Sequence, residues 1–244
     1  MISQINSTSV EENLSIELLS DFKLLPKWEA MKQIHFPDSN ILLQKAEYRL
    51  KFEELFFIQL KLLRLHHINV KTVPGAVFSK VGDNFNNFYN KYLPFQLTGA
   101  QKRVVKEIRT DMGSGHQMNR LLQGDVGSGK TLVAVLSMLL AIDNGYQSCI
   151  MAPTEILANQ HFVTIKELLG EMGVKIALLT GSSKTKERKQ LHEELESGEL
   201  KILIGTHALI EDKVKFENLG LVVIDEQHRF GVAQRDKLRD KGKV

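Results

Sequence analysis

The chain has 244 residues, 43% hydrophobic and 25% charged, with 17 Gly and 5 Pro, a composition that excludes wholesale disorder and collagen-like or linker-like sequence. Its one cysteine, Cys149, excludes an internal disulfide framework and a zinc site built on thiolates. The net charge of +3 is spread evenly: residues 1–93 carry 11 Lys and Arg against 10 Asp and Glu, and residues 94–244 carry 21 against 19. No basic half announces a polyanionic partner.

Residues 1–13 are polar, with no basic or apolar region of a secretory signal, and are expected to be a flexible N-terminus. No run approaches the roughly 18 apolar residues of a membrane span. With the lone thiol, this reads as a soluble cytoplasmic protein with no membrane partner. Residues 14–37 hold short amphipathic pieces, stopped by Pro26 and Pro37. From Ser39 to His67 runs the longest helical pattern: Asp38 or Ser39 can cap it, and Leu42, Ala46, Leu50, Phe52, Leu55, Phe56, Leu60 and Leu63 recur at three- and four-residue steps. Such a helix extends about 40 Å, long enough to brace a neighbouring domain. Residues 72–94 are loop-like, with Pro74, Gly75, Gly82 and Pro94. A boundary at Pro94 divides the chain into the N-terminus (1–13), a helical linker or bracing region (14–93) and a second domain (94–244).

Beyond Phe95 strands and helices alternate. Leu97–Met112 reads as a helix. Arg120–Gln123, Ser148–Ala152, Lys175–Thr180, Ile202–Gly205 and Leu219–Asp225 read as strands, most of them joined by helical stretches. That alternation predicts an α/β fold with a parallel sheet and right-handed crossovers. In such sheets ligands bind at the carboxyl ends of the strands.

The run Gly124-Asp125-Val126-Gly127-Ser128-Gly129-Lys130-Thr131 is a phosphate-loop pattern between a predicted strand and helix. Its glycines let the backbone turn successive N–H groups toward one anion, and Gly129 opens a helix whose dipole favours negative charge. Lys130 adds a point charge for the β- and γ-phosphates, and the Thr131 hydroxyl can ligate Mg²⁺. Asp225 and Glu226 follow an apolar strand, Leu221–Ile224. Asp225 can hold Mg²⁺ and Glu226 can orient and deprotonate an attacking water. Together the two motifs predict hydrolysis of a nucleoside triphosphate, with ATP and Mg²⁺ as cofactors and Lys130, Asp225 and Glu226 as catalytic residues.

GDVGSGKT and the Asp225-Glu226-Gln227-His228 string resemble those of superfamily 2 helicases and translocases. The wider strings resemble the RecG family of bacterial ATP-dependent branch-migration helicases. They are Leu93 to Thr98 with Gln101, Ala152 to Ala158 with Gln160 and His161, Leu179 to Ser182, Gly205 to Ile210, and Asp225 to Arg235. Upstream, Ile34–Pro37 and Arg49–Leu55 resemble the segment joining that family's DNA-binding wedge to its motor. The resemblance implies a RecA-like phosphate-loop domain and a partner in branched or forked DNA, gripped by its backbone without sequence preference. It also implies a wedge and a second motor domain acting with this one.

Position by position, the resemblance makes Gln101 the adenine-reading residue, although Thr98-x-x-Gln101 is equally a capping box. Pro153, Thr154, Glu155, Gly181, Ser182, Gly205, Thr206 and His207 fall on DNA-contacting motifs. Hydroxyls and free N–H groups at helix starts suit phosphate oxygens, yet each is also an ordinary helix cap. His228 falls where nucleotide state is coupled to DNA grip. Two charge clusters read either as solvated faces or as a DNA path: Lys184, Lys186, Arg188 and Lys189, and Arg235, Lys237, Arg239, Lys241 and Lys243. The eight histidines have no zinc-site companions.

Neither a wedge nor a second motor domain is legible in these residues. The chain therefore reads as part of such a motor, expected to bind Mg·ATP weakly and not to unwind DNA alone. In related folds the strand of the next motif lies between the phosphate-loop strand and the Asp-Glu strand, so those neighbours are expected to expose backbone groups and leave the chain poorly stable or associating. The alternative is a non-catalytic remnant that binds DNA or a protein, against which stand the intact Lys130, Thr131, Asp225 and Glu226.

Overall fold

In the computed structural model, which describes residue 6, residues 8–72 and residues 74–242, the chain divides into two compact units, Met1–Asn69 and Val70–Val244. Residues 1–5 and 7 of the expected flexible N-terminus lie outside the described residues, as does Lys243.

The first unit holds α1 (Ile16–Asp21), α2 (Lys27–His35) and most of α3 (Asn40–Thr72). Ser15 caps α1 through its side chain, and the Ser39 hydroxyl accepts from the Leu42 N–H at the start of α3. Asp38 turns back instead to the amide of Gln33. At the centre lies Arg49, wholly enclosed. Its guanidinium donates to the Leu25 carbonyl at 3.0 Å and to Glu53 and Glu12, each at 2.6 Å. Lys27 Nζ joins Glu53 at 2.8 Å. Burial alone would raise both carboxyls. For Glu12 the N–H groups of Lys27 and Leu14 with Arg49 outweigh it, and for Glu53 Lys27, Asn13 and Arg49 do, so both sit below the ordinary glutamate value. Residues 12 and 13 are thus anchored in this unit, which corrects the expectation of a flexible segment running to residue 13.

The second unit begins well before Pro94. Phe78 and Phe88 are buried in the same core as the central helix of the α/β domain. The Asp143 carboxylate accepts from the N–H groups of Gly82, Asn84 and Phe85 at the start of α4 (Asp83–Asn87). Residues 76–93 are therefore the opening of this domain, and the boundary expected at Pro94 moves to Asn69/Val70.

Thr98 and Gln101 form a reciprocal capping box at the head of α5 (Gly99–Met112). After the phosphate loop, α6 (Lys130–Asp143) buries Leu132, Val133 and every residue from Val135 to Ala141, as an apolar helix enclosed on most sides must. Then come β1 (Gln147–Met151), α7 (Glu155–Leu169), β2 (Ile176–Leu179), α8 (Thr185–Glu196), β3 (Ile202–Gly205), β4 (Leu219–Ile224) and α9 (Val232–Arg239). The four strands form one sheet in the order β2-β3-β1-β4, and β1 pairs in parallel with both β3 and β4. Side chains alternate across it: Ile150, Ile202, Ile204 and Leu221 face the core shared with α5, α6 and α7, whereas Cys149, Met151 and Leu203 face one closed by Leu191, Leu195, Phe216 and Leu238. Burial pushes the Cys149 thiol up to about 12, so it is core filling and not a nucleophile. A register shift places an extra residue, Gly220, opposite β1, where a Cβ would lie 2.6 Å from the Tyr146 ring. This bulge puts Leu219 and Leu221 on opposite faces.

One predicted strand is absent from the sheet. Arg120–Gln123 pairs with no strand among the described residues, and Leu121 is exposed. Arg120 is held instead by Glu107 and Asp111 of α5, at 2.7 and 2.6 Å. The sheet therefore has four strands where five were expected. The outer edge of β4 is unpaired among the described residues.

Candidate nucleotide site and its coupling surface

Because the strands are parallel, their carboxyl ends lie along one edge. Pro153 and Thr154 follow β1, Gly181 and Ser182 follow β2, Gly205 to His207 follow β3, and Asp225 and Glu226 follow β4. These predicted site residues, from Pro153 to Glu226, thereby lie along the sheet edge expected to carry chemistry.

The phosphate loop leads into α6, with Gly127 and Gly129 in left-handed conformation at φ 77° and 79°. At Gly129 a Cβ would also lie 2.4 Å from Gln101 Nε2, and at Gly124 one would lie 2.8 Å from Ser128 Oγ. These glycines are needed for backbone curvature and close approach alike. Among the described residues, the N–H groups of Gly127, Gly129, Lys130 and Thr131 have no acceptor. Four unspent donors at a helix head form an anion cradle. Lys130 Nζ donates to the carbonyls of Gly124 and Asp125 at 2.6 and 2.8 Å, and Val126 is fully exposed at the loop tip.

Gln101 does more than cap. Its Oε1 accepts from the Thr98 N–H at 2.8 Å, while its Nε2 donates to the Ser128 carbonyl at 2.9 Å. The amide thus ties the head of α5 to the phosphate loop, a bond no local pattern predicts. Beside this cap lies a cavity of about 480 Å³ lined by Tyr89, Leu93, Phe95 and Lys102, among others. A larger one, about 720 Å³, lies between α8 and residues 210–213.

At the other motif the ladder runs one residue past β4, with the Asp225 N–H donating to the Met151 carbonyl at 3.0 Å. Glu226 then turns left-handed at φ 49°, ψ 50°. Asp225 Oδ1 accepts from the Glu226 N–H at 3.0 Å, and its Oδ2 contacts His161 Nε2 at 2.8 Å. Exposed His228 approaches Glu226 at 3.5 Å. No three His, Cys, Asp or Glu groups cluster to cage a metal among the described residues. The donors present, the Asp225 carboxylate and the Thr131 hydroxyl, fit a hard cation that takes its remaining oxygens from phosphate and water.

The residues placed on DNA-contacting motifs separate by environment. Thr154 Oγ1 caps α7 by accepting from Leu157 N–H at 3.2 Å. The Glu155 carboxylate accepts from Ser182, from its N–H at 3.2 Å and its hydroxyl at 2.9 Å. Gly205 is a packing requirement, for a Cβ there would lie 2.2 Å from the Leu179 carbonyl. Thr206 is buried, whereas His207 and Ser182 are exposed. Some members of the two charge clusters are bound within the fold. Arg188 binds Glu211 and the Thr180 carbonyl, Arg239 pairs with Asp236, and Lys241 donates to the carbonyls of Glu211 and Val214.

A glycine loop on a helix head, with paired carboxylates closing a parallel strand, defines a RecA-like phosphate-loop domain. Residues 98–243 match the DEAD/DEAH box helicase family, and the chain belongs to that family. It is 48% identical over 233 residues to the ATP-dependent DNA helicase RecG of Streptococcus pneumoniae, covering 96% of this chain and 34% of that protein. With RecG of Bacillus subtilis the identity is 47% over 234 residues, covering 96% of this chain and 34% of that one. A solved structure of RecG bound to a three-way DNA junction superposes with a TM-score of 0.78 at 44% identity, covering 91% of this chain and 30% of that one. The chain spans about a third of the length of the curated relatives it matches. No helix among the described residues is long and apolar enough to cross a membrane.

Proposed function

We propose that this chain is the nucleotide-binding motor segment of a cytoplasmic ATP-dependent DNA helicase acting on branched or forked DNA. The observation that carries the reading is the cradle of unspent N–H groups at the head of α6, on a domain whose sheet edge ends in Asp225 and Glu226. In this reading Lys130 exchanges the Gly124 and Asp125 carbonyls for β- and γ-phosphate oxygens. Thr131 and Asp225 hold Mg²⁺, which when bound neutralises charge on the transferring phosphoryl group. Glu226 orients a water and takes its proton. Gln101 passes the state of the loop to α5 and takes part in holding the adenine beside Phe95. Ser182, His207 and the free N–H groups near Thr154 contact the DNA backbone, Pro153, Glu155, Gly181, Gly205 and Thr206 shape that surface, and His228 couples it to Glu226.

Charge-stabilising arginines supplied by a second domain are worth about 10³–10⁵ in rate. Residues 1–244 on their own are therefore expected to bind Mg·ATP weakly, hydrolyse it negligibly and unwind nothing. Titration with a fluorescent ATP analogue should show binding that Lys130→Ala weakens by roughly 10-fold or more, the value of a charge-assisted hydrogen bond. A folded sample with no nucleotide binding would overturn the phosphate-loop reading. Turnover on forked DNA that vanishes in Lys130→Ala would overturn the expected inactivity.

A further inference from the structure

His161 stands outside every role assigned so far. It lies in α7, two turns past the Thr154 cap, and its Nε2 meets Asp225 Oδ2 at 2.8 Å across 64 residues of sequence. Its side chain is 20% exposed and that of Asp225 31%, so the contact is partly shielded from water and not a fully solvated ion pair. An ionised carboxylate can only accept, so for Asp225 in its metal-holding form the His161 Nε2 is the donor.

The geometry around Asp225 gives that bond a purpose. The carboxylate follows the last ladder bond of β4 and precedes the left-handed turn at Glu226, where a short side chain is free to rotate. Two anchors on its two oxygens, the Glu226 N–H on Oδ1 and His161 on Oδ2, fix both of its torsions. Each oxygen keeps a second lone pair for a metal ion or a metal-bound water. The anchor on Oδ2 comes from a helix that is itself tied to the sheet edge, since Glu155 in its first turn holds Ser182.

We propose that His161 is a positioning residue that orients Asp225 for the nucleotide-bound divalent cation. Partners of this kind, behind a metal-binding carboxylate, typically change metal affinity by roughly 10- to 100-fold. The inference rests on the reading of Asp225 as the metal-holding carboxylate.

The test is a Mg²⁺ titration of the 244-residue chain with a fluorescent ATP analogue, comparing wild type with His161→Phe, His161→Gln and Asp225→Asn. The ratio of nucleotide Kd with and without Mg²⁺ isolates the metal from general binding, and far-UV circular dichroism checks the fold. His161→Phe, which keeps ring volume without a donor, is expected to raise the half-saturating Mg²⁺ concentration about 10-fold. His161→Gln, whose amide offers a donor at similar reach, should recover most of that loss. If Asp225→Asn loses the Mg²⁺ effect while His161→Phe keeps it, the positioning role is overturned and the metal site stands. If Asp225→Asn itself keeps it, the metal-site reading falls and this inference with it. Should His161→Phe fail to fold, His161→Ala takes its place: a half-saturating Mg²⁺ concentration raised about 10-fold supports the role, and one near wild type overturns it.

Discussion

Arg49→Ala should destabilise the first unit by about 3–5 kcal/mol, the cost of leaving buried charges without their partner. The guanidinium is wholly enclosed; truncation removes this donor from the Leu25 carbonyl and takes the cation from Glu53 and Glu12, which keep only Lys27, Asn13 and backbone N–H groups. The single tryptophan, Trp28, lies in α2, so its fluorescence in a denaturant titration reports this unit. The linkage to pH has a defined sign. Glu12 and Glu53 are held below their ordinary value of 4.5, so their contribution to stability is present above that pH and lost as pH falls through the depressed values. Without Arg49 the burial of both carboxyls remains while a main cation goes, and the acid limb should move to higher pH. A variant within about 1 kcal/mol of wild type, with an unmoved acid limb, would show that the network contributes little to stability.

Gly205→Ala is the second large effect expected. The added Cβ would lie 2.2 Å from the Leu179 carbonyl and 3.0 Å from Leu209 Cδ2. Here β3 pairs with both β1 and β2, and backbone cannot step aside as a side-chain tip can. Overpacking at such a place costs about 3 kcal/mol. Gly181→Ala is the matched control: its Cβ would meet only the tip of the Glu155 side chain, at 3.2 Å, so a change within about 0.5 kcal/mol is expected. Thermal melts followed by far-UV circular dichroism separate the two. A Gly205→Ala protein as stable as wild type would show that Gly205 is not a packing requirement.

What could be read from the residues was what is local. Within each motif, the loop glycines with Lys130, the Thr98–Gln101 cap and the Asp225-Glu226 pair, the residues lie within a few positions of one another, and that spacing carries their chemistry. The strand assigned to Arg120–Gln123 failed because an apolar run specifies a tendency, whereas a strand needs a neighbour to pair with. The boundary at Pro94 failed for a related reason. Proline, glycine and asparagine interrupt helical periodicity between residues 72 and 94, but they do not stop Phe78 and Phe88 from entering a core. The partner that holds α4, Asp143, lies 58 to 61 residues away. The bonds His161 to Asp225 and Gln101 to Ser128 span 64 and 27 residues, so no periodicity or spacing pointed to them. His161 stood within a string that resembles RecG, yet only the fold put it against a carboxylate.

The left-handed backbone at Glu226 has an implication for how this motif is kept. A residue with a Cβ in that region costs about 1–2 kcal/mol that glycine would not. Replacement by glycine would relax the turn after β4 and delete the carboxylate in one step. Folding and chemistry therefore favour different residues at this position, as they do at many strained functional turns. Selection for a well-folded chain alone would favour glycine there.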